Sequence, residues 1–384
     1  MISQRVRRVS ESGTVKISNI VSKLKQEGVD IISFSMGEPD FSTPDNITEA
    51  CIKALKEHFT HYTPSAGIPE LRKAVAEKSR NENGIPCEDK HILITPSKQA
   101  IFMSMMAVLD DGDEVILPDP SWGTFEACVR LAGGIPRFLR LIPEEGFRMS
   151  PDALAELITK KTRMILVNSP SNPCGVVQSL EDLKGIADLA LDHDLIVMAD
   201  EIYEKIIFEG RHHSIASLDG MFERTITING FSKTYAMTGW RIGWLIAPDP
   251  IVKEINKIQT HSLTCVTSFV QKAALEALKG PQDSVRKMVE EFRARRDLIC
   301  KLMSEIPSLA FVKPRGAFYV FPSYEHQMSS EDLAAFLLEE AHVAVTPGSA
   351  FGPSGEGHIR ISYATSRNAI IEGMKRVKEA LEKL

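Results

Sequence analysis

The sequence predicts an α/β fold: a mostly parallel sheet sandwiched by helices, with a smaller α+β domain beside it. Two observations predict it. Through the middle of the chain, short and nearly continuous apolar runs alternate with helix-length segments, as expected of strands buried on both faces. After Pro250 this alternation gives way to long charged helical stretches and then to shorter strand-like runs. In order, "HILIT" (91–95) reads as a strand leading into a helix over "SKQAIFMSMMAVL" (97–109). "DEVILP" (113–118) precedes "WGTFEACVRLAG" (122–133), and "TRMILVN" (162–168) precedes "LEDLKGIADLALDH" (180–193). "DLIVMAD" (194–200), "RTITIN" (224–229) and "RIGWLIA" (241–247) complete the strands. Helical stretches then run through about 280 and from about 283 to 305. "AFYVFP" (317–322), "HVAVTP" (342–347) and "HIRISYA" (358–364) are short strands beside helices at 330–340 and 367–383. "IISFSMGEPDF" (31–41) is a strand that turns sharply at Gly37 and Pro39, at the domain border. The expected division is an arm and part of the small domain over 1–40, a large domain over 41–284, and a small α+β domain over 285–384.

The chain has 384 residues, 43% hydrophobic and 25% charged, enough for a sizeable core. A net charge of −6 leaves no electrostatic footprint for nucleic acid or an anionic membrane, and no apolar run approaches a membrane span. The N-terminal "MISQRVRRVS" lacks the apolar core of a secretory signal. Cys51, Cys87, Cys128, Cys174, Cys265 and Cys300 are scattered without CxxC spacing, so neither a metal site nor a disulfide framework is expected, and a reduced cytoplasmic setting fits.

Parallel sheets bind ligands outside the carboxyl ends of their strands. Those ends carry Ser97, Trp122, 168–175, Asp200, Tyr203 and Lys233. No GxGxxG follows a strand and no GxxxxGK[ST] occurs, which excludes the usual nucleotide sites. A lysine, an aspartate, an aromatic platform and a polar helix start are instead what pyridoxal phosphate needs. "NGFSK" with "TGWRIG" (229–243), "NSPSNPCG" (168–175), "DEIY" (200–203), "HYTPSAGIPELR" (61–72) and "MGEPDFSTP" (36–44) make the match specific. From about Thr14 to Arg360 the chain resembles the class I aminotransferases of pyridoxal-phosphate fold type I, and within them the bacterial and archaeal aspartate aminotransferases.

The resemblance implies a seven-stranded sheet in the large domain, pyridoxal 5'-phosphate as cofactor, and a role for each matching residue. Lys233, where an ordinary lysine would be solvated, is the Schiff-base lysine; burial near another cation lowers its pKa and supplies the neutral amine. Asp200, otherwise a helix cap, pairs with the pyridine nitrogen, and Tyr203 and Asn172 hydrogen-bond the ring's phenolic oxygen. Cys174 departs from the family's usual Asn-Pro-Thr-Gly, but Asn172, Pro173 and Gly175 are kept. Trp122, otherwise a packing residue, stacks on the ring; Phe125 offers no hydrogen bond to Asp200. Ser97, Lys98 and Gln99 start the phosphate-binding helix, and Ser232 and Arg241 are further phosphate ligands. Tyr62 reaches the phosphate from the other subunit, which implies a homodimer with shared sites. Arg360 lies mid-strand, where an unpaired arginine needs an anion; it binds the substrate α-carboxylate, with the Gly37 backbone contributing a donor. Thr14 and Lys98 match positions near the substrate side chain, although Lys98 also suits phosphate neutralisation or plain solvation.

The activity expected is ping-pong transfer of an amino group, from aspartate or glutamate, to a 2-oxo acid such as 2-oxoglutarate. The alternatives are an aromatic or broad-specificity aminotransferase and, on the same fold, a C–S lyase. A cofactor-sensing transcription regulator would carry a DNA-binding domain in front, and only about 30 residues precede "IISFSMGEP".

Overall fold

The computed structural model describes residues 2–11 and 13–384. Its centre is a seven-stranded sheet of β1 (Ile92–Ile94), β2 (Glu114–Asp119), β3 (Ile135–Arg140), β4 (Thr162–Asn168), β5 (Ile196–Asp200), β6 (Thr225–Gly230) and β7 (Gly243–Ile246), in the order β1-β7-β6-β5-β4-β2-β3. β7 runs antiparallel to both its neighbours, and the other pairings are parallel. The apolar runs explain the layers. In β4, Met164 and Leu166 pack with the helices Ser97–Val108 and Asp249–Ser262, while Ile165 and Val167 pack with the helix Leu180–Asp192 on the opposite face. With both faces covered, each such side chain contributes roughly 1.5–3 kcal/mol. Ser179 starts Leu180–Asp192 by accepting the N–H of Asp182 at 3.0 Å.

The reading of the sequence missed β3. It is the edge strand, its burial is mixed, and it carries Pro136, so it lacks a continuous apolar run. The expected strand over 342–347 is divided. Val343–Ala344 pairs in parallel with Ile32–Ser33, whereas Thr346–Pro347 pairs antiparallel with Ile359–Ser362. The helical stretch after Pro250 is likewise two helices, Asp249–Ser262 and Ser268–Lys279, before the long Asp283–Met303.

The C-terminal elements pack around a core in which Phe292, Phe318, Tyr319, Ile361 and Tyr363 are buried, joined by Phe34 and by Ile202, Tyr203, Ile206 and Phe208 from beyond β5. The stretch 31–43 ties this core to the large sheet. Phe34 N–H donates to Ala344 O at 2.8 Å, and Ser362 N–H donates to Phe34 O at 2.8 Å. Nine residues after Phe34, the Thr43 hydroxyl donates to Ala236 O at 2.7 Å in the loop beyond β6.

Candidate active site

Every strand end that the sequence pointed to opens on one cavity of about 440 Å³. Ser97 follows β1, Trp122 follows β2, Asn168 ends β4, Asp200 ends β5 and Lys233 follows β6. Arg241 enters from the start of β7, whose reversed direction brings its first residues to the carboxyl edge of its neighbours.

Lys233 Nζ donates to the carbonyl of Gly37 and lies 5.9 Å from the centroid of the Phe318 ring. Burial, joined by the charges of Arg360 and Arg241, lowers its pKa to about 8, against the pull of Glu38 and Asp200. Asp200 is 4% exposed, and its Oδ1 accepts the N–H of Ile202 at 3.2 Å. Burial, reinforced by Glu201, raises its pKa to about 7. A carboxyl in that position lacks a close cation, which the nitrogen of a protonated heteroaromatic ring would provide.

Arg360 is 2% exposed. Its Nη1 donates to Asn172 Oδ1 at 3.0 Å, and its Nη2 to Ser35 O at 2.7 Å and to Thr346 Oγ1 at 3.3 Å. The guanidinium carbon stands 4.5 Å from the Tyr319 ring centroid and 5.0 Å from that of Phe351. Its Nε has no partner, and no carboxylate pairs with it among the described residues. A buried cation without a counter-ion is costly, and an incoming carboxylate removes that cost. Asn172 is itself fixed, because its N–H donates to Asn168 Oδ1 at 2.9 Å and Asn168 Nδ2 donates to Asp200 O at 3.0 Å.

One end of the cavity offers backbone donors. The helix Ser97–Val108 makes its first hydrogen bond from Ala100 N–H to Pro96 O, so the N–H groups of Ser97, Lys98 and Gln99 have no partner within the helix. Ser97 Oγ donates to Asn229 O at 2.9 Å, and it fits only because Gly230 and Gly243 have no Cβ there. Ser232 and Arg241 line the same end. Arg241 holds a left-handed φ of 55°, a conformation that an L residue keeps only where its surroundings enforce it. Lys98 stands at the mouth, its ammonium 4.7 Å from the centroid of the Trp122 ring; burial and then Arg241 pull its pKa down. An anion binder, a buried lysine, a carboxyl awaiting a cation and an aromatic wall thus fit a planar pyridine phosphate.

The family description Aminotransferase class I and II fits residues 29–377. The chain belongs to the class I and II aminotransferases. Members of this family use pyridoxal phosphate. The aminotransferase is 44% identical to an aspartate aminotransferase of Pyrococcus abyssi, over 99% of this chain and 98% of that one. It is also 44% identical to aromatic-amino-acid aminotransferase 2 of Thermococcus litoralis, over 99% and 98% of the two chains. Its structure matches an aspartate aminotransferase of Thermus thermophilus with maleate at a TM-score of 0.95 and 40% identity, covering 99% of both chains.

The cavity of this aminotransferase gathers Gly37, Ser97, Lys98, Trp122, Asn172, Asp200, Tyr203, Ser232, Lys233, Arg241 and Arg360. It does not gather Tyr62, which is 88% exposed on the single chain, and Gln99 contributes to the helix start without lining the cavity. Thr14 lies in the helix Gly13–Gln26, and its side chain is outside the described residues. Gly37 lines the cavity, and its carbonyl accepts from Lys233 Nζ.

Among the polar lining residues, Ser18, Ser35, Glu38, Thr238 and Tyr319 had been given no role. The Tyr319 hydroxyl is 2.9 Å from that of Tyr203, and Thr238 Oγ1 donates to Glu38 Oε2 at 2.6 Å. The one sequence signal for Tyr319 was a phenol inside the apolar "AFYVFP".

Proposed function

We propose that this aminotransferase binds pyridoxal 5'-phosphate and moves the α-amino group of aspartate or glutamate to 2-oxoglutarate in two half-reactions. The observation that carries the reading is one cavity in which Lys233 and Asp200 face Arg360, a buried guanidinium with no carboxylate of its own. When bound, the cofactor supplies an electron sink for the charge left at the substrate Cα. The chain's residues do the rest. Arg360, steadied by Asn172, binds the α-carboxylate and fixes which bond at Cα points toward Lys233. Lys233, with its pKa near 8, exists partly as the neutral amine at neutral pH and moves the proton from Cα. Asp200 holds a negative charge against the ring nitrogen. Tyr203, backed by Tyr319, would offer its hydroxyl to the ring oxygen, and Trp122 would supply an aromatic face for the ring. The N–H groups of 97–99, with Ser97, Ser232 and Arg241, hold the phosphate.

The dicarboxylate preference rests on Lys98 at the mouth, and on relatives named aspartate aminotransferase, one of them carrying the dicarboxylate maleate. A panel of amino donors against 2-oxoglutarate tests the whole reading. Equal amounts of product oxo acid and glutamate are expected, and release of ammonia or a thiol instead would indicate elimination. Lys98→Ala should raise KM for aspartate roughly ten-fold while leaving an apolar donor such as phenylalanine nearly unchanged. Equal loss on both donors would assign Lys98 to the phosphate.

We further infer that 41–284 forms the large domain and 285–384, with part of 1–40, the small one. Two copies then form a homodimer in which Tyr62 completes the partner's phosphate site; its full exposure on one chain supports this. Mixing Tyr62→Ala subunits with Lys233→Ala subunits should restore one good site per heterodimer, measured as activity above that of either parent. A cytoplasmic setting accords with cysteines that are unpaired in the structure.

A further inference from the structure

Directly behind the cavity lies a second charged cluster that the proposed chemistry does not use. The turn 200–204 has two sides. Asp200 and Tyr203 line the cavity, whereas Glu201 and Glu204 do not, although they are only 3% and 7% exposed. Backbone bonds close the turn: Glu201 N–H donates to Ile228 O at 2.8 Å, and Glu204 N–H to Glu201 O at 2.9 Å. Side chains then hold its rear. Glu204 accepts from Lys78 Nζ and Asn83 Nδ2, both on the helix Pro69–Asn83. Glu201 Oε2 lies 3.1 Å from His212 Nε2, an ion-pair contact, and neither of these buried atoms has a hydrogen-bond partner among the described residues.

We propose that His212 is a positioning residue, which acts through Glu201 to hold Asp200 in place and in charge balance against the cofactor ring. The proposal rests on the assignment of Asp200 to that ring. Charge counting supports it. Two buried carboxylates, Glu201 and Glu204, face two buried cations, Lys78 and His212, so the cluster is neutral only while His212 is an imidazolium. Further out, Glu82 lies 3.5 Å from Lys78 and 2.8 Å from Lys205, a pair at the rim. Burial acts to lower the pKa of His212, but Glu201 and then Glu204 outweigh burial and Lys78, and it ends above its ordinary value. Loss of the imidazolium leaves a net negative charge on the residue adjoining Asp200, which favours protonation of everything facing it.

The test is a pH titration of the visible cofactor band in the holoenzyme, read beside thermal stability. In His212→Asn the midpoint should move up by about one pH unit. In the double variant Glu201→Gln, His212→Asn, which removes both charges, it should return to within a few tenths of wild type. A wild-type midpoint in His212→Asn would overturn the proposal, as would a double variant no closer to wild type than the single one. Should His212→Asn fail to fold, Glu201→Gln decides alone: its midpoint should move down, and an unmoved midpoint overturns the proposal. A wild-type protein without a visible cofactor band would overturn the cofactor assignment itself, and this inference with it; a normal band indifferent to His212 and Glu201 overturns this inference only.

Discussion

Lys233→Ala should still bind pyridoxal phosphate but lose the visible band of lysine-bound cofactor, with turnover falling by about ten-thousand-fold or more. The expectation follows from its surroundings. Lys98 sits at the mouth over Trp122, so Lys233 is the lysine deep in the cavity, and its burial among arginines lowers its pKa to about 8. Cofactor retention is expected because, on the proposed reading, Arg241 and the start of the helix Ser97–Val108 would hold the phosphate independently of that bond. The experiment compares absorbance spectra and single-turnover rates. An unchanged visible band would place the covalent bond on another residue.

Asp200→Ala should lower turnover by about a thousand-fold or more while changing stability little. An aspartate that only capped the turn would show the reverse, a loss of about 1 kcal/mol in stability with chemistry intact. Melting and half-reaction rates on one preparation separate the two. The raised pKa adds a pH signature. In the cofactor-free protein the folded state holds the Asp200 proton up to about pH 7, whereas the unfolded chain releases it near 3.8. Between those values the folded state binds more protons, so stability declines as pH rises from about 4 to 7. Asp200→Asn should flatten that decline. Saturation with cofactor should flatten it too, because a ring cation stabilises the ionised carboxylate. Parallel stability curves for wild type and Asp200→Asn over this range would contradict the assignment.

Much of the fold was legible because fully buried strands announce themselves. β4 and β5 carry apolar runs with no alternation, and they end on Asn168 and Asp200. β3 was not legible, since an edge strand of mixed burial lacks that run. Nor was the division of 342–347, because the partners Ile32–Ser33 and Ile359–Ser362 are chosen by tertiary packing and not by local composition. In the site, residues whose chemistry is tied to a strand end were readable. Tyr319 and Glu38 were not, because each reaches the cavity from a distant part of the chain. The pairing of the Tyr203 and Tyr319 hydroxyls spans 116 positions, and no local pattern encodes it. Tyr62 matched a motif, yet its place in a site depends on a second copy.

The stretch 35–37 holds both cations that the chemistry requires. Arg360 Nη2 donates to Ser35 O, and Lys233 Nζ donates to Gly37 O. These two carbonyls therefore compete with any occupant of the cavity. The amine must leave Gly37 before it can reach a bound molecule, and a carboxylate arriving at Arg360 must share or displace Ser35. Each exchange subtracts about 1 kcal/mol from the gross attraction, roughly five-fold in apparent affinity. This stretch lies between Ile32–Ser33, which pair with Val343–Ala344, and Thr43, which bonds Ala236, so releasing its carbonyls should loosen the seam that these contacts make. Occupancy of the cavity and mobility of that seam are thus thermodynamically linked, so a ligand that draws on both cations changes the relative freedom of the two halves of the molecule.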